Sequence, residues 1–369
     1  MPLQPRFEVE NLKVCPHGGP DYAELKAMGL APEEVLDFSV SSNPFPPPPE
    51  VRKVVDTIAI GRYPDSEANE LKRCLSERWG VATDNILAGN GSVELIRLIA
   101  LAYFRHGDTV LIFEPTFGEY EVSCKIVGAE VTKQWRKTEE GFTLNIGEAT
   151  DYIKQCHPRG VFLCNPNNPT GDYLSRREVE QILESSENSL LILDEAFVAF
   201  VDESWSSIDL IHRGNVIIVR SMTKDYGLAG LRLGYAIAHQ EVIDCLRRVC
   251  LPWNVNAVAQ KAGVVALEAV DYFEQCKQKV KQAKQFLVDE LCRIGFTCLP
   301  SKANYFLVRV GDAGKFRKAL LKHGILVRDC SSFGLPDYIR IAPRTMAVCR
   351  KLITTIETLK RNGELAYNT

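Results

Sequence analysis

From about residue 85 the chain alternates short apolar runs with amphipathic stretches. The runs are TVLIF (109–113), GVFLC (160–164), LLILD (190–194), VIIVR (216–220) and GYAIA (234–238). Runs of this length, apolar throughout, are the pattern of strands covered on both faces, and segments such as SRREVEQILESS between them are amphipathic in the manner of covering helices. The pattern predicts an α/β fold built on an open, mostly parallel central sheet flanked by helices. Ligands of such sheets sit outside the carboxyl ends of the strands. Each run here leads into a polar or glycine-bearing loop, in order EPTFGEY, NPNNPTG, DEAF and SMTK.

After about residue 260 the alternation stops. A long charged helical stretch, YFEQCKQKVKQAKQFLVDELCRIG, is followed by NYFLVRV, GILVRDC and YIRIAP and a last helix, which predicts a smaller α+β domain. The piece PFPPPP (44–49) reads as a short stiff polyproline segment with a helix starting just after it. It serves as a hinge, so the expected organisation is an N-terminal segment (1–45), a large domain (46–260) and a small C-terminal domain (261–369). No internal repeat is visible.

Composition narrows the function classes. The chain has 369 residues, 46% hydrophobic and 25% charged, enough to bury a core. Its net charge of −3, from 44 basic and 47 acidic residues without a long basic run, argues against nucleic acid as a partner. The opening MPLQPRFEVENLKV has no apolar signal core, and no apolar stretch approaches a membrane span. Twelve cysteines without a CxxC pair read as reduced thiols of a cytoplasmic protein, and the six histidines show no metal-ligand spacing with cysteine, so no metal is expected.

The chemistry gathers at the strand ends. In SMTKDYGLAGLRLG, Ser221 and Thr223 flank Lys224, and Arg232 follows. Hydroxyls and a guanidinium suit a phosphate dianion, and an amine beside it can form a Schiff base with an aldehyde cofactor. In GNGSVELI, Gly91 and Ser92 open a helix whose free N–H groups favour an anion. Asp194 ends a buried run, where a carboxylate requires a cationic partner such as a pyridinium nitrogen. Asn168, in NPNNPTG, can bond a phenolic oxygen, and Phe117 offers a ring for stacking. Each element alone also fits an ordinary turn, cap or core residue. Together they describe a site for pyridoxal 5'-phosphate.

With these motifs the sequence resembles the fold-type I pyridoxal-phosphate enzymes of the class I/II aminotransferase superfamily over nearly its whole length. The resemblance implies that Lys224 holds the cofactor covalently and Asp194 pairs with its ring nitrogen. Asn168 would contact the ring oxygen, Phe117 would stack, and Gly91, Ser92, Ser221, Thr223 and Arg232 would hold the phosphate. Tyr63, in RYPD, would reach the phosphate in the neighbouring subunit of a homodimer. Arg340, in YIRIAP, would bind the substrate carboxylate.

Within the superfamily the chain resembles threonine-phosphate decarboxylase of cobalamin biosynthesis in four stretches. These are HGGPDY with His17, Gly18 and Gly19; DFSVSSNPF with Asn43; LPWNVNA with Trp253 and Asn256; and LDEAFVAF, where Phe197 stands in place of the usual tyrosine. The implied reaction is decarboxylation of L-threonine O-3-phosphate to (R)-1-aminopropan-2-yl phosphate, with His17, Gly18, Asn43, Asn168, Arg328, Arg340 and Arg344 binding the phosphorylated substrate. Histidinol-phosphate aminotransferase stands as the alternative, and decarboxylation of serine phosphate as a third reading. A nicotinamide oxidoreductase is excluded, since no GxGxxG opens the first βα unit. A non-enzymatic module of this fold would be expected to lack Lys224 or Asp194, and both are present.

Overall fold

The computed structural model describes residues 3–10 and 12–365; the expected segments 1–45 and 261–369 include a few residues outside that set. A short strand β1 (Leu36–Asp37) comes first. The large sheet holds β2 (Ile86–Gly89), β3 (Thr109–Glu114), β4 (Glu130–Trp135), β5 (Gly160–Cys164), β6 (Leu190–Asp194), β7 (Val216–Ser221) and β8 (Gly234–Ala238). Their spatial order is β2-β8-β7-β6-β5-β3-β4. All neighbours pair in parallel except β8, which runs antiparallel to both β2 and β7.

The five apolar runs are therefore strands, and their continuous hydrophobicity has a simple cause. Successive side chains point to opposite faces, and both faces are covered. In β3, Leu111 and Phe113 enter one core cluster and Val110 and Ile112 the other; in β6, Leu191 and Leu193 divide from Leu190 and Ile192 in the same way. Two strands escape the apolar-run pattern. β4 (EVTKQW) is an edge strand, exposed along much of its length, so it carries polar residues. β2 is only four residues long.

The proline stretch leads into the helix Pro49–Thr57, with Pro49 at its first position, where the missing N–H costs no intrahelical bond. The helix Ala257–Glu268 runs across residue 260 and packs beside the helices Pro49–Thr57 and Asn69–Trp79 of the large sheet, so the chain departs for the second sheet only after Glu268. The long helix is Val270–Arg293. Beyond it lie β9 (Thr297–Cys298), β10 (Phe306–Arg309), β11 (Ile325–Leu326), β12 (Arg328–Asp329) and β13 (Tyr338–Ile341), then the helix Met346–Arg361. Strands β12-β13-β10-β9 form an antiparallel sheet with its own buried cluster around Phe306, Ile339 and Leu352. β1 pairs in parallel with β11, which fastens the N-terminal segment to this second unit. No described helix is long and apolar enough to cross a membrane.

The topology sets one edge of the large sheet. Asp194 ends β6 beside Cys164 at the end of β5, and Ser221 ends β7 opposite Gly234, which in turn pairs with Gly89. Because β8 is reversed, its amino end arrives at the same edge as the carboxyl ends of its neighbours. That brings Arg232, two residues before β8, beside the loop that follows β2.

Candidate active site

A cavity of about 480 Å3 opens at this edge, between the large sheet, the N-terminal segment and the second sheet. Lys224 lies on its floor, in the single turn Met222–Asp225 capped by Ser221. Burial, then the positive charges of Arg340 and Arg232, push the Lys224 ammonium down to about 8 against the opposing pull of Asp194. A lysine so placed is partly neutral near physiological pH and is available as a nucleophile or base. Its Nζ lies 5.7 Å from the centre of the Phe197 ring.

Asp194 is buried, with Oδ2 accepting from the Tyr120 hydroxyl at 2.7 Å and Oδ1 from the Ala196 amide at 2.9 Å. Burial raises its carboxyl above the usual range, against the lowering pull of those two donors. A cationic ring nitrogen would relieve that cost. Tyr120 was not singled out from sequence; it sits two residues into a helix and looks like any core aromatic until the fold places it under Asp194. Its ring also packs edge to face with Phe117, at 5.6 Å between centres, and Phe117 lines the cavity.

The anion cradle is built by close approach. The helix Ser92–Tyr103 begins after Gly91, whose φ of 77° and ψ of 164° lie in a region essentially reserved for glycine. A Cβ on Gly91 would stand 2.5 Å from Nη2 of Arg232, which shows how tightly the guanidinium packs over the helix start. Ser221 and Thr223 share a hydroxyl–hydroxyl bond of 2.7 Å across the neighbouring strand end. Backbone N–H groups, two hydroxyls and a guanidinium make a donor set for a phosphate dianion. The residues present thus fit pyridoxal phosphate at each point tested: a buried acid raised by desolvation, a lysine with a lowered pKa and a phosphate-sized donor cradle.

Across the cavity, Arg340 is buried in β13. It donates to Asn168 Oδ1 and, at 2.9 Å, to the Ser39 carbonyl, and its guanidinium lies 5.1 Å from the centre of the Tyr305 ring. Arg328 lines the same space but is tied to the N-terminal segment, donating to the carbonyls of Pro16 (2.7 Å) and His17 (3.0 Å) and to Ser332 Oγ (2.7 Å). Lys224, Phe117, Asn168, Arg232, His17, Gly18, Arg328 and Arg340 therefore meet in one cavity.

Two expected substrate contacts do not join them. Asn43 is spent on backbone: its amide N–H donates to the Lys224 carbonyl at 2.7 Å and its Nδ2 to the Asp225 carbonyl at 2.9 Å, so it positions the lysine turn. Arg344 lies just past β13, outside the cavity lining. Tyr63 is 79% exposed and stacks on Trp253 at 4.3 Å between centres, away from this chain's own cavity.

This fold and this site define a fold-type I pyridoxal-phosphate enzyme. The chain belongs to the class I and II aminotransferase family, whose sequence model matches residues 33–356. Its cofactor is pyridoxal 5'-phosphate.

Among its relatives, histidinol-phosphate aminotransferase of Thermoanaerobacter pseudethanolicus is 36% identical over 88% of this chain and 92% of that protein. The enzyme of the same name from Symbiobacterium thermophilum is 32% identical over 97% of this chain and 99% of its own length. Histidinol-phosphate aminotransferase from Sinorhizobium meliloti, solved with pyridoxal-5'-phosphate, shares the fold with a TM-score of 0.87 at 23% identity, over 97% of each chain. L-threonine-O-3-phosphate decarboxylase from Porphyromonas gingivalis has a TM-score of 0.79 at 30% identity, over 88% of this chain and 99% of that one.

The decarboxylase expectation is corrected by the sequence relatives: at 36% identity over 88% of this chain and 32% over 97% of it, they are histidinol-phosphate aminotransferases. The structure shows that several residues of the four stretches also make scaffold contacts, which a shared motif does not distinguish from substrate contacts. A Cβ on Gly18 would stand 2.6 Å from the Ser39 carbonyl oxygen. Asn43 holds the lysine turn, and Asn256 caps the helix Ala257–Glu268 by accepting from the Ala259 amide at 2.8 Å. Phe197 packs edge-on against Tyr305 at 4.9 Å between centres, inside a buried cluster with Ala303 and Ala342.

Proposed function

We propose that the protein is a histidinol-phosphate aminotransferase that uses 2-oxoglutarate as the amino acceptor. The observation that carries this reading is the end-to-end similarity to enzymes of that name, with the lysine, the buried acid and the anion-binding arginines all in place.

In this reading Lys224 is the catalytic base and Asp194 the partner of the cofactor's ring nitrogen. Gly91, Ser92, Ser221, Thr223 and Arg232 hold the cofactor phosphate, Asn168 bonds its ring oxygen, and Phe117 stacks on its ring. When bound, pyridoxal phosphate supplies the electron sink that takes up the pair left by a breaking Cα–H bond. Lys224 Nζ, with its ammonium lowered to about 8, would take the proton from the substrate Cα and deliver it to the cofactor's aldehyde carbon. Arg340 serves both half-reactions, taking the phosphate of the amino alcohol ester first and the carboxylate of the keto acid second; a planar fork of donors accommodates either anion. Its anchoring to Asn168 and Ser39 holds the guanidinium in place, so an anion bound there would present the substrate to the lysine in one orientation.

Two copies share their sites. Tyr63 and Trp253 form an exposed aromatic step flanked by exposed Ile60 and Leu251, a patch suited to burial against a second subunit, and Tyr63 reaches the partner's phosphate cradle.

The deciding experiment incubates the purified holoenzyme with histidinol phosphate alone and follows the cofactor spectrum. Conversion to the amine form, reversed by 2-oxoglutarate, supports the proposal. Release of carbon dioxide from threonine phosphate with no spectral conversion by histidinol phosphate sinks it.

A further inference from the structure

At the mouth of the cavity three side chains converge whose chemistry the transamination does not use. Cys15 Sγ, His17 Nε2 and a carboxylate oxygen of Glu119 all lie within 4.8 Å of one another. Cys15 and His17 come from the N-terminal segment, and Glu119 begins the helix Glu119–Ile126. His17 Nε2 is 3.0 Å from Glu119 Oε1, and the other carboxylate oxygen accepts from Arg97 Nη2 at 3.0 Å. The glutamate is buried, at 7% side-chain exposure, while the histidine is 51% exposed.

We propose that Cys15, His17 and Glu119 bind a zinc-class divalent ion, and that this ion staples the N-terminal segment to the helix Glu119–Ile126 at the wall of the Lys224 cavity. A thiolate, an imidazole and a carboxylate form a borderline-soft donor set that suits zinc, with the exposed side of His17 leaving a fourth position for water. Ligand atoms around tetrahedral zinc are separated by roughly 3.3–3.8 Å, so closing the trio onto an ion takes a movement of about 1 Å, within reach of the exposed His17 side chain. Arg97 holds the free glutamate oxygen, the kind of outer contact that orients a ligating carboxylate. The thiol reaches this place only because residue 118 is glycine: a Cβ there would stand 2.6 Å from Cys15 Sγ.

Binding forms three metal–ligand bonds and releases the Cys15 thiol proton to solvent, so affinity rises with pH. The consequence for the cavity follows from its walls. Cys15, His17, Phe117 and Gly118 all line the cavity, so an ion shared between residues 15, 17 and 119 ties the N-terminal segment to the start of the helix Glu119–Ile126 at the cavity wall. The sequence alone pointed to no metal, because the third donor, Glu119, stands 102 residues beyond His17.

The test uses the holoenzyme. Zinc is added, unbound metal is removed by gel filtration, and the retained metal is counted; cobalt(II) provides ligand-field absorption at wavelengths beyond the cofactor bands. One ion per chain, with a thiolate–cobalt signature, and at least tenfold weaker retention in Cys15→Ser and His17→Gln, are expected. Zinc should also slow alkylation of Cys15, read by mass spectrometry, and slow turnover of the wild type while leaving Cys15→Ser unaffected. Equal retention by Cys15→Ser, or a Cys15 alkylation rate indifferent to zinc, would overturn the site. Tight binding with unchanged turnover would overturn the staple. The metal count and the alkylation rate do not depend on which amino substrate the enzyme uses.

Discussion

Gly91→Ala isolates the phosphate cradle. Gly91 adopts φ 77° and ψ 164°, a conformation that costs an L-residue about 1–3 kcal/mol. The added Cβ would also stand 2.5 Å from Arg232 Nη2. That guanidinium is the far end of a flexible side chain, so it moves aside, and its charge-assisted bonds to the phosphate are lost. Such bonds are worth about 1.5–3 kcal/mol, which at 1.4 kcal/mol per decade means roughly 10- to 100-fold weaker pyridoxal phosphate. The assay is titration of the apo-protein with pyridoxal phosphate, followed by tryptophan fluorescence, for wild type, Gly91→Ala, Arg232→Ala and the double variant. If displacement of Arg232 is the cause, Gly91→Ala adds little in the Arg232→Ala background. Wild-type affinity in Gly91→Ala, or full additivity of the two losses, would refute the reasoning.

Three further outcomes follow from the same geometry. Asp194→Asn keeps the shape but cannot carry charge beside the ring nitrogen, so the rate of the histidinol-phosphate half-reaction should fall by about 10²–10³-fold in stopped-flow spectra, with the cofactor still bound. Arg340→Lys, which cannot form the two-pronged contact, should raise KM for 2-oxoglutarate by roughly tenfold or more in steady-state assays; an unchanged KM would remove Arg340 from the substrate site. Because burial lowers the Lys224 ammonium from 10.5 to about 8, the folded apo-protein binds fewer protons than the unfolded chain between those values, and stability rises with pH across that window. The contribution is about 3 kcal/mol. Urea midpoints of the apo-protein measured from pH 7.5 to 10.5 should therefore climb more in wild type than in Lys224→Met.

Much of the fold was legible because its cause is local. A strand buried on both faces must be apolar at every position, so β3, β5, β6, β7 and β8 stood out as unbroken runs. Edge strand β4 did not, since exposure there permits Glu130, Lys133 and Gln134. The residue set suited to the cofactor was legible for a related reason: a lysine, an acid and a glycine-bearing helix start, each following an apolar run, are residue types whose chemistry is unusual at a strand end. Substrate choice was not. His17, Asn43 and Asn256 matched motifs, yet motif letters do not tell whether a side chain faces a ligand or a backbone carbonyl, and Asn43 and Asn256 bond to backbone while His17 turns to Glu119.

By itself, then, the sequence determined the α/β class, the strand positions of the central sheet and the residue set suited to pyridoxal phosphate, all of which depend on burial pattern and short-range spacing. Only the tertiary structure decided what depends on distant segments meeting. The reversal of β8 brings Arg232 over Gly91, the helix Glu119–Ile126 sets Tyr120 beneath Asp194, and the N-terminal segment carries Cys15 and His17 to Glu119. Those meetings are fixed by the packing of the whole sheet edge, and no stretch of a dozen residues contains the information that creates them.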